Sequence, residues 1–129
     1  MSLHDRPTVG ELLRAVRAYL SDEVATTPDR RSRFRALIAA NVLGIVEREL
    51  ANAADDARFE DELLRGLGYA SGDAGQRRRE LSAEIRNGAY DAPARFAAAL
   101  MYARAVVERK LAVSNPRYLE RVQRSANIE

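Results

Sequence analysis

The chain has no cysteine and no tryptophan, a single histidine, His4, and a single lysine, Lys110. The missing thiols exclude disulfides, cysteine nucleophiles and Cys-ligated metals. One imidazole excludes a His-rich metal site and any mechanism that needs two. No run approaches the ~20 apolar residues that span a bilayer, and no basic stretch precedes an apolar one at the N-terminus, so neither a membrane helix nor a secretory leader is expected. A Gly-rich phosphate loop, a nucleophile elbow and a defensible helix-turn-helix spacing are also missing. These absences lead to the expectation of a cytoplasmic protein with no metal, no cofactor, no membrane partner and no catalytic constellation.

What is present is the composition of a folded domain: 129 residues, 47% apolar and 31% charged. That length suits one core, so residues 1–129 read as a single domain. Met1, Ser2 and Leu3 read as an added start. The pI of 9.3 suggests nucleic acid, but the formal net charge is only +2. Arginine titrates so high that a small excess lifts the pI. Arg30, Arg31, Arg33 and Arg35, with Arg77, Arg78 and Arg79, form two basic clusters that suit phosphate. Asp29, Glu80 and Glu84 lie close to them in sequence, and no aromatic residues interleave for base stacking. Both clusters therefore read as solvated faces, and no nucleic-acid partner is expected.

The pattern is helical throughout. Thr8-Val9-Gly10-Glu11 has the form of a capping box, and Val9, Leu12, Leu13, Val16 and Leu20 follow as one apolar stripe. Thr26-Thr27-Pro28-Asp29 is a turn. A second helix is predicted over 30–53, with Phe34, Leu37, Ile38, Val42, Ile45, Val46 and Leu50 inward. Ala36, Ala40 and Gly44 recur on a neighbouring face, where small side chains admit a close neighbour; Gly44 costs about 1 kcal/mol relative to Ala in a helix. The polar stretch 52–56 predicts a break before a short third helix marked by Phe59, Leu63, Leu64 and Leu67, which Gly66 or Gly68 ends. A fourth helix is predicted over 73–87, anchored by Leu81 and Ile85 and closed by Gly88. Asp91 and Pro93 open a fifth. Its first half is almost uncharged, which places it at the centre of the fold against the small-residue face of the second. Asn115-Pro116 opens a sixth, with Leu119 and Val122 inward. The expected fold is all-α: a single-domain antiparallel bundle of five or six helices.

Among polar residues Asn41 is the sharpest puzzle, since it interrupts the apolar stripe of the second helix. A buried amide without partners costs about 1–3 kcal/mol. The alternatives are a structural lock, part of a ligand pocket, or a slight rotation of the helix that lets Asn41 meet water; the expectation is that Asn41 is buried and hydrogen-bonded to backbone at the N-terminal segment or near Asn115. His4 beside Asp5 has the form of an oriented base. The runs Glu47-Arg48-Glu49 and Glu60-Asp61-Glu62 place successive side chains ~100° apart, so neither pairs two carboxylates; both read as solvated.

Four segments carry a resemblance: HDRPT at 4–8, ELL at 11–13, AANVLGIVEREL at 39–50 and KLAVSNPRYL at 110–119. They resemble a family of uncharacterised bacterial all-helical proteins found beside, or fused to, aminoglycoside-phosphotransferase-like kinases and near acyl-CoA dehydrogenases. The resemblance implies context and no catalytic residue. It singles out His4, Asp5, Arg6, Asn41, Glu49, Asn115, Arg117 and Tyr118 as candidate binding positions. The leading expectation is an accessory or interaction module for a phosphotransferase-like kinase or an acyl-CoA-processing enzyme. The alternative is a binder of an acyl or CoA-like anion, with a pocket lined by Asn41 or Tyr102 and at least one arginine. Self-association into a homo-oligomer is also expected.

Overall fold

The structure, a computed structural model, describes residues 6–127. Among these residues there are five α-helices and no strand: α1 Val9–Asp22, α2 Arg30–Gly66, α3 Ala74–Arg86, α4 Pro93–Ser114 and α5 Pro116–Ala126, with one turn of 3₁₀ helix at Val24–Thr26. The chain is all-α. It forms two compact units, the first ending at Ala53 and the second beginning at Ala54.

Local chemistry sets most helix ends. The Thr8 hydroxyl accepts from the backbone N–H of Glu11 at 3.2 Å, and the Glu11 carboxylate accepts from the N–H of Thr8 at 2.7 Å. Asp73 and Gln76 repeat this reciprocal cap at the start of α3. At the end of α2, Gly68 adopts φ +97°. The N–H of Tyr69 then reaches the Leu64 carbonyl at 2.9 Å and that of Gly68 the Arg65 carbonyl at 2.9 Å, which is a Schellman closure. Gly88, at φ +84°, closes α3 the same way through Ala89 to Glu84. Asn115 caps α5 by accepting from the Tyr118 N–H at 3.2 Å, with Pro116 in the first turn. Asp91 is not a cap: Ala92 holds that position in α4 and has no side-chain hydrogen bond to give, so Pro93 alone marks the start.

The predicted break at 52–56 does not occur, and α2 runs unbroken for 37 residues. Each polar residue there has a local or tertiary partner. The Asn52 amide donates to the Arg48 carbonyl at 2.9 Å. Asp55 pairs with Arg58, and Asp56 with Arg109 of α4 at 3.0 Å. Weak propensity is overridden where side chains find partners.

In the first unit, α1 and the first part of α2 lie antiparallel, with Arg17 of α1 donating to Glu47 of α2 at 2.6 Å. Ala36, Ala40 and Gly44 of α2 are buried, as their size suggested. A Cβ on Gly44 would stand 3.8 Å from Cδ of Arg17. The large residues face elsewhere: Phe34, Leu37, Ile38 and Val42 are exposed, and so are Val9, Leu12 and Val16 of α1.

The second unit has the denser core. Leu64 is fully buried and packs with Tyr69, Leu81 and Tyr90, against which Leu67, Ala89, Ala99 and Tyr102 close. Ile85, expected inward, is exposed, as is Val122. The first half of α4 is not central either. Phe96 and Met101 are 59% and 72% exposed. The helix has two apolar faces, and only the one carrying Ala99 and Tyr102 meets this core. An apolar helix is thus not always a buried one: another face presents Phe96, Leu100 and Val107.

Candidate functional site

Within the first unit a groove of about 580 Å³ runs between α1 and α2, lined by Thr8, Val9, Gly10, Leu13 and Ala51 among others. Its walls are apolar and its polar groups are Arg14, Arg17, Glu47 and Arg48. Helix geometry sets this arrangement. Gly10, Arg14 and Arg17 recur at four and three residues along α1, one face of that helix. Gly44, Glu47 and Ala51 do the same on α2.

Glu47 organises the charge. Its carboxylate accepts from Nε of Arg17 at 2.6 Å and lies 3.8 Å from Nε of Arg14. Its side chain is largely buried, whereas that of Arg14 is 66% exposed. Arg14 and Arg17 thus share this one carboxylate. Exposed arginine with apolar walls suits an anionic head on an apolar body.

The second unit carries a polar knot of a different kind. Tyr69 donates its O–H to Glu84, so the 2.9 Å contact between the hydroxyls of Tyr69 and Tyr90 has Tyr90 as donor. Arg95 lies over the Tyr90 ring at 4.4 Å and 4.0 Å from Glu84. Burial, with the hydrogen bond to Glu84 next, pushes the Tyr69 hydroxyl far above the ordinary tyrosine range. Tyr102 donates to Glu60 at 3.1 Å, and burial followed by that bond raises its pKa to about 12. Nearby, Arg77 is only 6% exposed and donates to Asp61 at 2.7 Å and to the Tyr69 carbonyl at 3.4 Å. Arg65 donates to the same carboxylate at 2.8 Å. Hydrogen bonds from Arg65 and then Arg77 hold the Asp61 carboxyl below its ordinary value. These groups are engaged with one another, and the knot reads as what holds α3 and α4 on the end of α2.

Two expectations from the sequence are corrected here. The Arg77–Arg79 and Glu60–Glu62 runs are not simply solvated: Arg77 is buried on Asp61, and Arg78 pairs with Glu60 at 3.0 Å. Asn41 is not buried either; it lies exposed on α2 among the exposed apolar residues. The helix presents that stripe outward because the small residues take the inward side.

The remaining candidate positions are scattered. His4 and Asp5 lie outside the described residues. Arg6 is exposed, its Nε 3.8 Å from Glu11. Glu49 is exposed on α2 in the first unit. Asn115, Arg117 and Tyr118 sit together at the start of α5 in the second, where Asn115 serves as the cap and Arg121 lies 5.6 Å over the Tyr118 ring. None of the six described positions lines the groove. Sequence reading missed Arg14, Arg17, Glu47, Tyr69, Glu84 and Tyr90. The only available signal was a tyrosine one or two residues after each helix-ending glycine, at Gly68-Tyr69 and Gly88-Ala89-Tyr90.

Among the described residues no group of three or more His, Cys, Asp or Glu is placed to hold a metal, and no helix is long and apolar enough to cross a membrane. Fold and surface together define a small all-α chain with an open groove flanked by Arg14 and Arg17 and with exposed apolar helix faces. The family "Domain of unknown function (DUF6285)" matches residues 25–118, and the chain belongs to it. No curated protein and no solved structure matches the chain.

Proposed function

We propose that this chain is an interaction module whose α4–α5 surface docks a partner protein. The observation that carries the reading is the outer face of α4. The second unit has a closed core around Leu64, yet Phe96, Leu100, Met101 and Val107 remain outside it, with Tyr118 and Val122 of α5. Soluble monomers seldom leave apolar patches larger than a few hundred Å² exposed, and those that do commonly use them to bind. The partner class in this reading is the one that the sequence resemblance implies: a phosphotransferase-like kinase or an acyl-CoA-processing enzyme such as an acyl-CoA dehydrogenase. The test is titration calorimetry with such an enzyme from the same genome. Binding that falls at least about tenfold in Phe96→Glu/Met101→Glu, with helicity unchanged, supports the reading. Absence of binding by the parent chain, or equal binding by the variant, contradicts it.

A second reading has its own observation, the groove with Arg14, Arg17 and Arg48. Its volume of about 580 Å³ suits a small ligand, since such pockets commonly span ~300–1,000 Å³. In this reading an acyl or CoA-like anion places its charge at Arg14 and its chain against Val9, Leu13 and Leu50. A rise in melting temperature with palmitoyl-CoA that is lost in Arg14→Glu supports it. An unchanged melting curve with palmitoyl-CoA and other acyl-CoA compounds counts against it.

A further inference from the structure

The positive charge of the chain is concentrated in its last two helices. Residues 93–127 hold seven cations and two acids, Glu108 and Glu120, while the rest of the chain holds more acids than cations. Two of the seven are engaged, Arg95 with Glu84 and Arg109 with Asp56. The other five, Arg104, Lys110, Arg117, Arg121 and Arg124, are exposed. None of them pairs with a carboxylate among the described residues.

Three of these cations form one stripe. Arg117, Arg121 and Arg124 are spaced by four and three residues on α5 and fall within ~60° of one another at ~100° per residue. They extend about 10 Å along the helix at 1.5 Å rise per residue. Tyr118 and Val122, 45% and 46% exposed, border the stripe on one side. Glu120 borders it on the other, but Nε of Arg124 donates to the Glu120 backbone carbonyl at 3.4 Å and not to its carboxylate. Local helix chemistry does not account for the stripe. Arg124, in the last turn, suits the helix dipole. Arg117 follows Pro116 in the first turn, where the dipole disfavours a cation. Like charges three and four residues apart also repel. The stripe works against the helix, and no ion pair among the described residues offsets it.

The border of the stripe selects its occupant. Arginine takes carboxylate or phosphate. A nucleic-acid backbone would supply anions but no apolar surface for Val122. A helix that lies in a membrane surface sinks its whole apolar face there. In α5 that face is already partly used, because the helix packs on α4 and Leu119 is half-buried. A protein segment with carboxylates on one side and apolar side chains on the next matches both the stripe and its border. We propose that the partner presents such an acidic, amphipathic segment to α5. Its carboxylates pair with Arg117, Arg121 and Arg124, and its apolar side chains cover Tyr118 and Val122. This names the chemistry of the partner and rests on the reading of α4–α5 as a docking surface.

The test uses the full chain and two synthetic dye-labelled peptides. One carries glutamates along one helical face and leucines along the next; the other has lysine in place of every glutamate. Fluorescence anisotropy is expected to show binding of the glutamate peptide, weakened by added salt, and none of the lysine peptide. Arg117→Glu/Arg121→Glu/Arg124→Glu, with far-UV circular dichroism unchanged, should lose the glutamate peptide at least about tenfold and gain the lysine peptide. If the triple variant loses helicity, Arg117→Gln/Arg121→Gln replaces it and should weaken the glutamate peptide at least about threefold. Equal binding of the two peptides, or binding of neither, overturns the proposal. So does tighter binding of phosphatidylserine vesicles or duplex DNA than of the glutamate peptide. Calorimetry with the partner enzyme separates this from the reading beneath it. Enzyme binding that Phe96→Glu/Met101→Glu abolishes and the arginine variant leaves unchanged overturns the acidic segment and leaves the docking surface. No enzyme binding, with the glutamate preference intact, overturns the enzyme class and supports the acidic segment.

Discussion

The two units close their interiors by different chemistry, although α2 contributes to both. The first relies on size: Ala36, Ala40 and Gly44 are small and buried, and the nearly buried Glu47 receives Arg17. The second relies on filling and polar satisfaction. Leu64 and Leu81 occupy the centre, the Tyr90 hydroxyl donates to that of Tyr69, which donates to Glu84, and Arg77 is buried on Asp61. The lesson lies in what each leaves outside. A seam of small residues brings backbones close but removes little apolar surface from water, so the first unit still exposes its large side chains. Burial is worth about 25 cal/mol per Å², and much of that contribution remains unrealised in a single first unit.

The contrast predicts a ranking of mutational effects. The largest belongs to the second unit. Leu64→Ala removes a fully buried side chain and should cost about 2–5 kcal/mol in urea denaturation. A cost under about 1 kcal/mol would mean that this core is less closed than its burial indicates. The first unit should respond to added volume instead. Ala40→Leu puts a large side chain into the seam and should destabilise by about 1–3 kcal/mol, read from the same experiment. If Ala40→Leu stabilises the chain, the seam has room and the proposed contrast fails.

The smallest effect comes from pH, through Tyr102. Its pKa, raised to about 12, lies above the ordinary value near 10. The unfolded chain therefore releases this proton first. The stabilisation is complete below pH ~10 and lost as the pH rises towards ~12. Thermal melts between pH 9 and 12 should show that decline, and Tyr102→Phe should flatten part of it. The same slope in both proteins would place its origin elsewhere.

How much of this was legible in the sequence depends on range. The Thr8–Glu11 box, Gly88, the Asn115-Pro116 start and the small-residue face were readable because each is decided within a few residues of chain. The continuity of α2 was not, because Asp56 is stabilised by Arg109, far along the sequence. The outward direction of the Asn41 stripe was not readable either. Periodicity shows that a helix has an apolar side, while which side the rest of the chain covers depends on tertiary packing. The groove escaped for the same reason. Arg14 and Arg17 look like ordinary surface residues until Glu47 of another helix stands beside them.

The central claim is that the second unit closes a core of large side chains and the first does not. The most direct measurement is amide hydrogen exchange of the full chain, read by mass spectrometry. The account predicts that the helical amides of residues 60–66 exchange more slowly than those of residues 34–46. Equal or slower exchange at residues 34–46 would contradict it.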